Sequence, residues 1–214
     1  MCGIVGYFGN RNPYTVLIKG LTKLEYRGYD SAGVSVLQNG DLSVYREVGK
    51  LKELSSLLND NKINIDDDAL SENINLGVGH TRWATHGKPS VANAHPHVVQ
   101  RIALVHNGII ENYADLKAKL EAEGSVFSSE TDTEVVSHLL NKLVSEGETL
   151  YTAMEKAIPM LQGSFALVAI DQENPDELVL AKHASPIILG EGEDEWFVAS
   201  DIPAVLEYLS LIHI

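Results

Sequence analysis

The stretch AGVSVLQNGDLSVYREV (32–48) alternates apolar and polar residues on both sides of Asn39-Gly40, the dipeptide best suited to a two-residue antiparallel hairpin. A chain that carries such a hairpin has two strands committed to antiparallel pairing. Further short apolar runs predict strands at 3–8 (GIVGYF), 74–79, 101–106, 163–170, 177–182 and 195–199. Leu17, Leu21 and Leu24 recur at helical spacing after the first strand, and Leu51, Leu54, Leu57 and Leu58 mark a second amphipathic helix. Helices are also predicted near 112–122, 131–145 and 150–161, the second of these opening on a capping-box pattern, Thr131-x-x-Glu134. NDNKINIDDDALSEN (59–73) reads as a polar, acidic loop or insertion. The hairpin and the late strand pairs favour antiparallel sheets covered by helices over a parallel doubly wound sheet, in one α+β domain.

Charge narrows the partners. Sixteen Lys and Arg stand against 30 Asp and Glu, a net charge of −14, which argues against a nucleic acid or an anionic membrane and for a small-molecule substrate. The longest apolar stretch, Phe165 to Ile170, falls far short of the ~20 residues of a membrane helix. No charged-then-apolar leader precedes the first strand, so the expected compartment is the cytoplasm. There is no phosphate loop and no G-x-G-x-x-G, and no cofactor or metal is expected. The domain is predicted over 1–208, with 209–214 read as a truncation or an added tail.

The only cysteine is the second residue, which excludes an intramolecular disulfide. Removal of the initiator methionine is expected before so small a residue and would leave Cys2 with both a thiol and a free α-amine. An α-amine has a pKa of ~7.7–8.0 and a thiol ~8.5, so the amine can serve as base toward the sulfur, directly or through one water. The other reading is an ordinary small buried cysteine on a first strand. Gly3, Gly6 and Gly9 let backbone approach closely or turn sharply, as a reaction centre or a plain tight turn would require.

Six motifs then carry a resemblance: CGIVGYFG (2–9), YRGYDSAG (26–33), HTRWATHG (80–87), AHPH (94–97), HNGIIENY (106–113) and SETDTE (129–134). In order and spacing, from residue 2 to about 208, the chain resembles the glutaminase domain of the glutamine–fructose-6-phosphate aminotransferase (glucosamine-6-phosphate synthase) family, a class II glutamine amidotransferase. The resemblance implies an N-terminal-nucleophile hydrolase fold, a four-layer αββα sandwich of two antiparallel sheets. It implies that Cys2 attacks the side-chain amide of L-glutamine, releasing ammonia and then glutamate from a γ-glutamyl thioester. In full-length members the ammonia reaches a sugar isomerase domain, absent from this sequence, and aminates fructose 6-phosphate to glucosamine 6-phosphate. A homodimer is left open.

The resemblance also assigns residues. Asn107 and Gly108 supply the oxyanion donors, against the simpler reading of an Asn-Gly turn closing strand 101–106. Arg82 grips the substrate α-carboxylate, against a surface ion pair. Asp132 meets its ammonium, against, or together with, a favourable place at the N-terminus of helix 131–145. Trp83, Thr85 and His86 line the glutamine pocket, Trp83 being linked to closure and the ammonia route, and Arg27 lies close to the N-terminal cysteine. Two readings from other classes stay beside these. His95-x-His97 could offer two metal ligands from one strand, although Pro96 interrupts it and no H-E-x-x-H accompanies it. The chain could also be a non-catalytic glutamine-binding module or an inactive gene fragment.

Overall fold

The computed structural model describes residues 2–67, 70–84, 87–209 and 211–213. The hairpin forms as expected: β2 (Ser31–Gln38) and β3 (Asp41–Val48) pair from Ser31↔Val48 to Gln38↔Asp41, with Asn39 at φ 54° and Gly40 at φ 84°. Two consecutive positive φ values make a type I′ turn, whose twist matches that of the strands and which Asn-Gly tolerates best.

Ahead of the hairpin run β1 (Gly3–Arg11) and α1 (Pro13–Lys23), the helix started by Asn12, whose side chain accepts from the Tyr14 N–H, and by Pro13 at the first helical position. After it come α2 (Leu51–Asp60), β4 (Leu70–Arg82), β5 (His97–Val99), β6 (Ile102–Ile110), α3 (Tyr113–Ala122), α4 (Glu134–Ser145) and α5 (Leu150–Ala157). The chain then continues through β7 (Gly163–Asp171), β8 (Asn174–His183), β9 (Ile188–Glu191), β10 (Trp196–Ala199) and β11 (Leu211–His213). Among the described residues, no helix is long and apolar enough to cross a membrane.

The strands form one sheet of order β11-β9-β10-β1-β4-β2-β3 and another of order β5-β6-β7-β8, each neighbouring pair antiparallel. Three buried clusters define four layers. Val5, Tyr7, Val34 and Val36 of the first sheet pack with Leu17 and Leu21 of α1 and Leu54 and Leu58 of α2. Leu104, Leu167 and Ala169 of the second sheet pack with Leu116 of α3, Leu140 of α4 and Met154 of α5. Between the sheets lie Ile4, Leu76, Val78, Ala103, Val105, Val168, Ile170 and Val198. Alternate residues of β1, β6 and β7 therefore enter different cores, which is why these strands read as unbroken apolar runs. The architecture is the four-layer αββα sandwich that the resemblance implies.

Several expectations are corrected. The helix predicted at 131–145 begins at Glu134, and Thr133 in the N-cap place makes no side-chain capping bond, so there is no capping box. Glu134 instead accepts from the N–H and Oγ of both Ser128 and Ser129, at 2.7–2.9 Å, and fixes the loop before the helix. Burial opposes its charge, yet His138 Nε2 at 3.8 Å and the hydrogen bonds from Ser129 and Ser128 hold its carboxyl well below the usual range. The acidic stretch expected as loop through 73 gives way to β4 from Leu70, and α5 stops at Ala157, where a 3-10 turn over Ile158–Met160 takes over.

Shortening Ile170, fully buried between the sheets, tests that layer. Ile170→Ala is expected to cost ~2–5 kcal/mol and Ile170→Val ~0.5–1.5 kcal/mol in urea unfolding, and equal midpoints for all three proteins would show that the layer is not tightly packed.

Candidate active site

Cys2 stands at the head of β1, an inner strand whose register puts Gly3 opposite Thr81 near the end of β4. That pairing brings the thiol to the residues just past the same strand end. The Trp83 N–H donates to Cys2 Sγ at 3.2 Å, and the thiol points back at the Trp83 carbonyl oxygen at 3.6 Å. Half-burial raises the Cys2 pKa and the Trp83 N–H works against the rise, so the sulfur rests as a thiol and needs a base to become a nucleophile.

The Cys2 carbonyl oxygen is gripped from two sides. Asn107 Nδ2 of β6 donates to it at 2.9 Å, and Arg27 Nε donates at 3.2 Å. Arg27 is buried on a 3-10 turn, and its Nη1 is anchored to the Ser200 carbonyl at 3.3 Å and to Asp201 at 3.0 Å. Gly108 follows Asn107 at φ 134°, and a Cβ there would lie 2.0 Å from the Ser164 carbonyl oxygen of β7. Only glycine fits, and its backbone lies open to the cavity beside Asn107.

Arg82 ends β4, buried, with Nη2 on the Gly87 carbonyl at 3.1 Å. Asp132 is buried ahead of α4, where its Oδ2 accepts from the Ile110 N–H at 2.8 Å and ties that loop to the end of β6. Trp83 is half exposed and tilts against Tyr29, ring centroids 5.5 Å apart. Cys2, Arg27, Arg82, Trp83, Asn107, Gly108 and Asp132 line one cavity of about 380 Å³. Thr85 and His86, also expected at the site, lie outside the described residues.

Some contributors carried no assignment from sequence. Asp30, inside YRGYDSAG, accepts from the Ala84 N–H through Oδ2 and donates its own N–H to the Arg82 carbonyl at 3.1 Å, pinning the chain that holds Trp83. Ser164, Ser185 and Pro186 reach the cavity from the second sheet and the loop after it. His95 and His106 also line the cavity, and with His80 and His97 they make a group of four buried histidines. Thr133 Oγ1 sits 2.9 Å from both His95 Nε2 and His106 Nδ1 and bridges the two rings. His97 Nε2 meets Thr131 Oγ1 at 2.9 Å; Thr131 leads to Ser129 and Ser129 to Glu134, which sets the proton on His97 Nε2. The His95-x-His97 pair suspected as metal ligands thus spends one nitrogen of each ring on a threonine. The histidines were visible in HTRWATHG, AHPH and HNGIIENY, but nothing in their spacing shows that three strands and a loop bring them together.

Burial holds these rings neutral, with pKa about 3 for His80 and His97, about 4 for His106, and well below the ordinary value for His95. In the unfolded chain histidine titrates near ~6.5, so below that pH the unfolded state binds more protons than the folded one. Stability is therefore complete above about pH 6.5 and falls as pH drops toward the folded-state values, with each ring contributing a slope of up to ~1.4 kcal/mol per pH unit. Urea unfolding at pH 7.5, 6 and 5 is expected to show this loss before carboxylates titrate. A flat profile across that window would contradict the buried neutral cluster.

Two face-to-face antiparallel sheets between helices, with a thiol at the head of an inner strand over a cavity that also takes in Arg82, Asn107 and Asp132, define the N-terminal-nucleophile hydrolase class. Residues 80–207 match the family model described as a glutamine amidotransferase domain. The chain belongs to that family. It is 49% identical over 210 residues to the glutamine–fructose-6-phosphate aminotransferase [isomerizing] of Symbiobacterium thermophilum, covering 97% of this chain and 33% of the relative. To the protein of the same name from Bacteroides thetaiotaomicron it is 48% identical over 212 residues, with the same two coverages. Among solved structures, the glutamine phosphoribosylpyrophosphate amidotransferase from B. subtilis, complexed with ADP and GMP, superposes with TM-score 0.78 at 27% identity, over 100% of this chain and 44% of that one. The chain spans about a third of the length of the curated relatives it matches.

Proposed function

We propose that this domain, over 1–208, hydrolyses L-glutamine to glutamate and ammonia with Cys2 as nucleophile. The observation that carries the reading is the convergence of Cys2, Asn107-Gly108, Arg82 and Asp132 on one cavity. With Met1 removed, the Cys2 α-amine takes the proton from Sγ, directly or through one water, and Sγ attacks the amide carbon. Asn107 Nδ2 and the Gly108 N–H receive the oxyanion, a task for which each donor is worth ~2.7–4 kcal/mol. The protonated amine gives its proton to the departing nitrogen, ammonia leaves, and a γ-glutamyl thioester remains. Water, deprotonated by the same amine, attacks the thioester and restores the thiol with release of glutamate.

Arg82 pairs with the substrate α-carboxylate and Asp132 with its ammonium, which fixes the amide end over Sγ. Trp83 covers the mouth, and Thr85 and His86 complete the pocket by resemblance. Arg27 holds the Cys2 carbonyl, so the reacting residue cannot swing away from Asn107. The relatives' greater length supports a longer protein in which a sugar isomerase domain receives the ammonia and aminates fructose 6-phosphate. A nucleophile that must stay reduced suits the cytoplasm.

Intact mass is expected to show loss of Met1 and, with an electrophilic glutamine analogue, one adduct on Cys2. Cys2→Ala is expected to abolish turnover while glutamine still binds in calorimetry; a binding module would have no turnover to lose. Steady-state kinetics are expected to give Asn107→Ala a kcat lower by ~10²–10³-fold with KM little changed. Arg82→Ala, which loses a charged hydrogen bond to the bound substrate, should raise KM by ~10–100-fold.

A further inference from the structure

We propose that His80 is a positioning residue whose Nε2–H sets which way round the Asn107 carboxamide sits, so that the Nδ2 donor faces the Cys2 side of the cavity. The inference rests on the glutaminase reading for its kinetic consequence. His80 belongs to β4 in the seven-stranded sheet, fully buried, and its ring crosses to the four-stranded sheet. There Nε2 lies 2.9 Å from the His106 carbonyl oxygen and 3.1 Å from Asn107 Oδ1. Both partners are acceptors only, so Nε2 must carry the proton. Nδ1 has no hydrogen-bond partner among the described residues, which suits an unprotonated nitrogen better than a stranded N–H.

That proton decides the amide. As it stands, Oδ1 accepts from His80 and Nδ2 donates to the Cys2 carbonyl at 2.9 Å. Turned over, the carboxamide would set NH₂ against N–H at His80 and oxygen against oxygen at Cys2, losing both bonds at once. The ring itself is braced by stacking on His95, centroids 4.2 Å apart at 27°, and His95 is tied in turn to Thr133. Burial keeps the His80 ring neutral, so it carries one ring proton. On the donor side Nδ2 rests on the Cys2 carbonyl at 2.9 Å, and a carboxamide NH₂ has a second N–H to offer a developing oxyanion. His80 fixes the acceptor side and leaves the donor side to the reaction.

Nitrogen-15 NMR of the native protein is expected to show His80 with a protonated Nε2 and a pyridine-type Nδ1; an Nδ1–H tautomer or an imidazolium would overturn the proposal. In kinetics, His80→Phe keeps a flat ring against His95 but no donor, and is expected to lower kcat by ~10²-fold with KM for glutamine within about twofold. His80→Gln, which can place an amide N–H near the Nε2 position, is expected to recover most of the loss. In an Asn107→Ala background, His80→Phe should cost no more than about twofold, because its effect passes through the missing carboxamide. A full multiplicative loss in that background, or no recovery by Gln, overturns the positioning role. If the native protein turns over no glutamine, the reading of the site falls, and the tautomer alone decides whether His80 sets Asn107.

Discussion

The hydrogen bond from Asn107 Nδ2 to the Cys2 carbonyl, 2.9 Å long, joins the two sheets beside the cavity. It holds only if both strands keep their places. β1 is fixed between β10 and β4, and β6 between β5 and β7, while Ile4, Val105, Val168 and Ile170 close the space between the sheets. A slip of one residue in either strand would turn Cys2 or Asn107 to the helix-covered face. The apolar layer between the sheets is therefore what gives the site its geometry as well as much of its stability.

Next to that layer the sheets meet through polar groups. Ser129, Thr131 and His97 form a chain of hydrogen bonds whose proton directions follow from the Glu134 carboxylate, and Thr133 bridges His95 and His106 beside it. Buried polar groups of this kind are costly unless paired, and the pairing leaves few alternative arrangements. The consequence at the site is rigidity. Asn107, Asp132 and the end of β4 are each tied to neighbours that are themselves tied, so the cavity is shaped before any substrate enters.

Legibility in the sequence followed the strength of local signals. The Asn39-Gly40 hairpin, the Leu17/Leu21 face of α1 and the apolar run of β7 were readable because each is a regular pattern over many residues. β5, β9 and β11, three or four residues long, have no period to detect. Thr131-x-x-Glu134 matched a capping box, yet tertiary bonds to His97 and to the Ser128-Ser129 loop claimed both side chains and moved the helix start to Glu134. Of the site residues the sequence nominates, those within the described residues line the cavity together; Asp30, His80 and His106 lie in the quoted motifs without a role, and His95 and His97 stand there only as a metal-ligand alternative.

The sequence by itself determined the hairpin, the antiparallel α+β class, the lone thiol at position 2 and, through six separated motifs, the family. These are properties of composition, local period and residue identity, which a chain carries whether or not it is folded. Only the tertiary structure decided that the Trp83 backbone grips the thiol, that Arg27 and Asn107 share the Cys2 carbonyl, and that His80 reaches Asn107 across the sheets. Those contacts join residues 25 to 105 positions apart, with the shortest at Arg27 and the longest at Asn107. No local pattern encodes such distances, because they are fixed by how two sheets register against each other through the apolar layer between them.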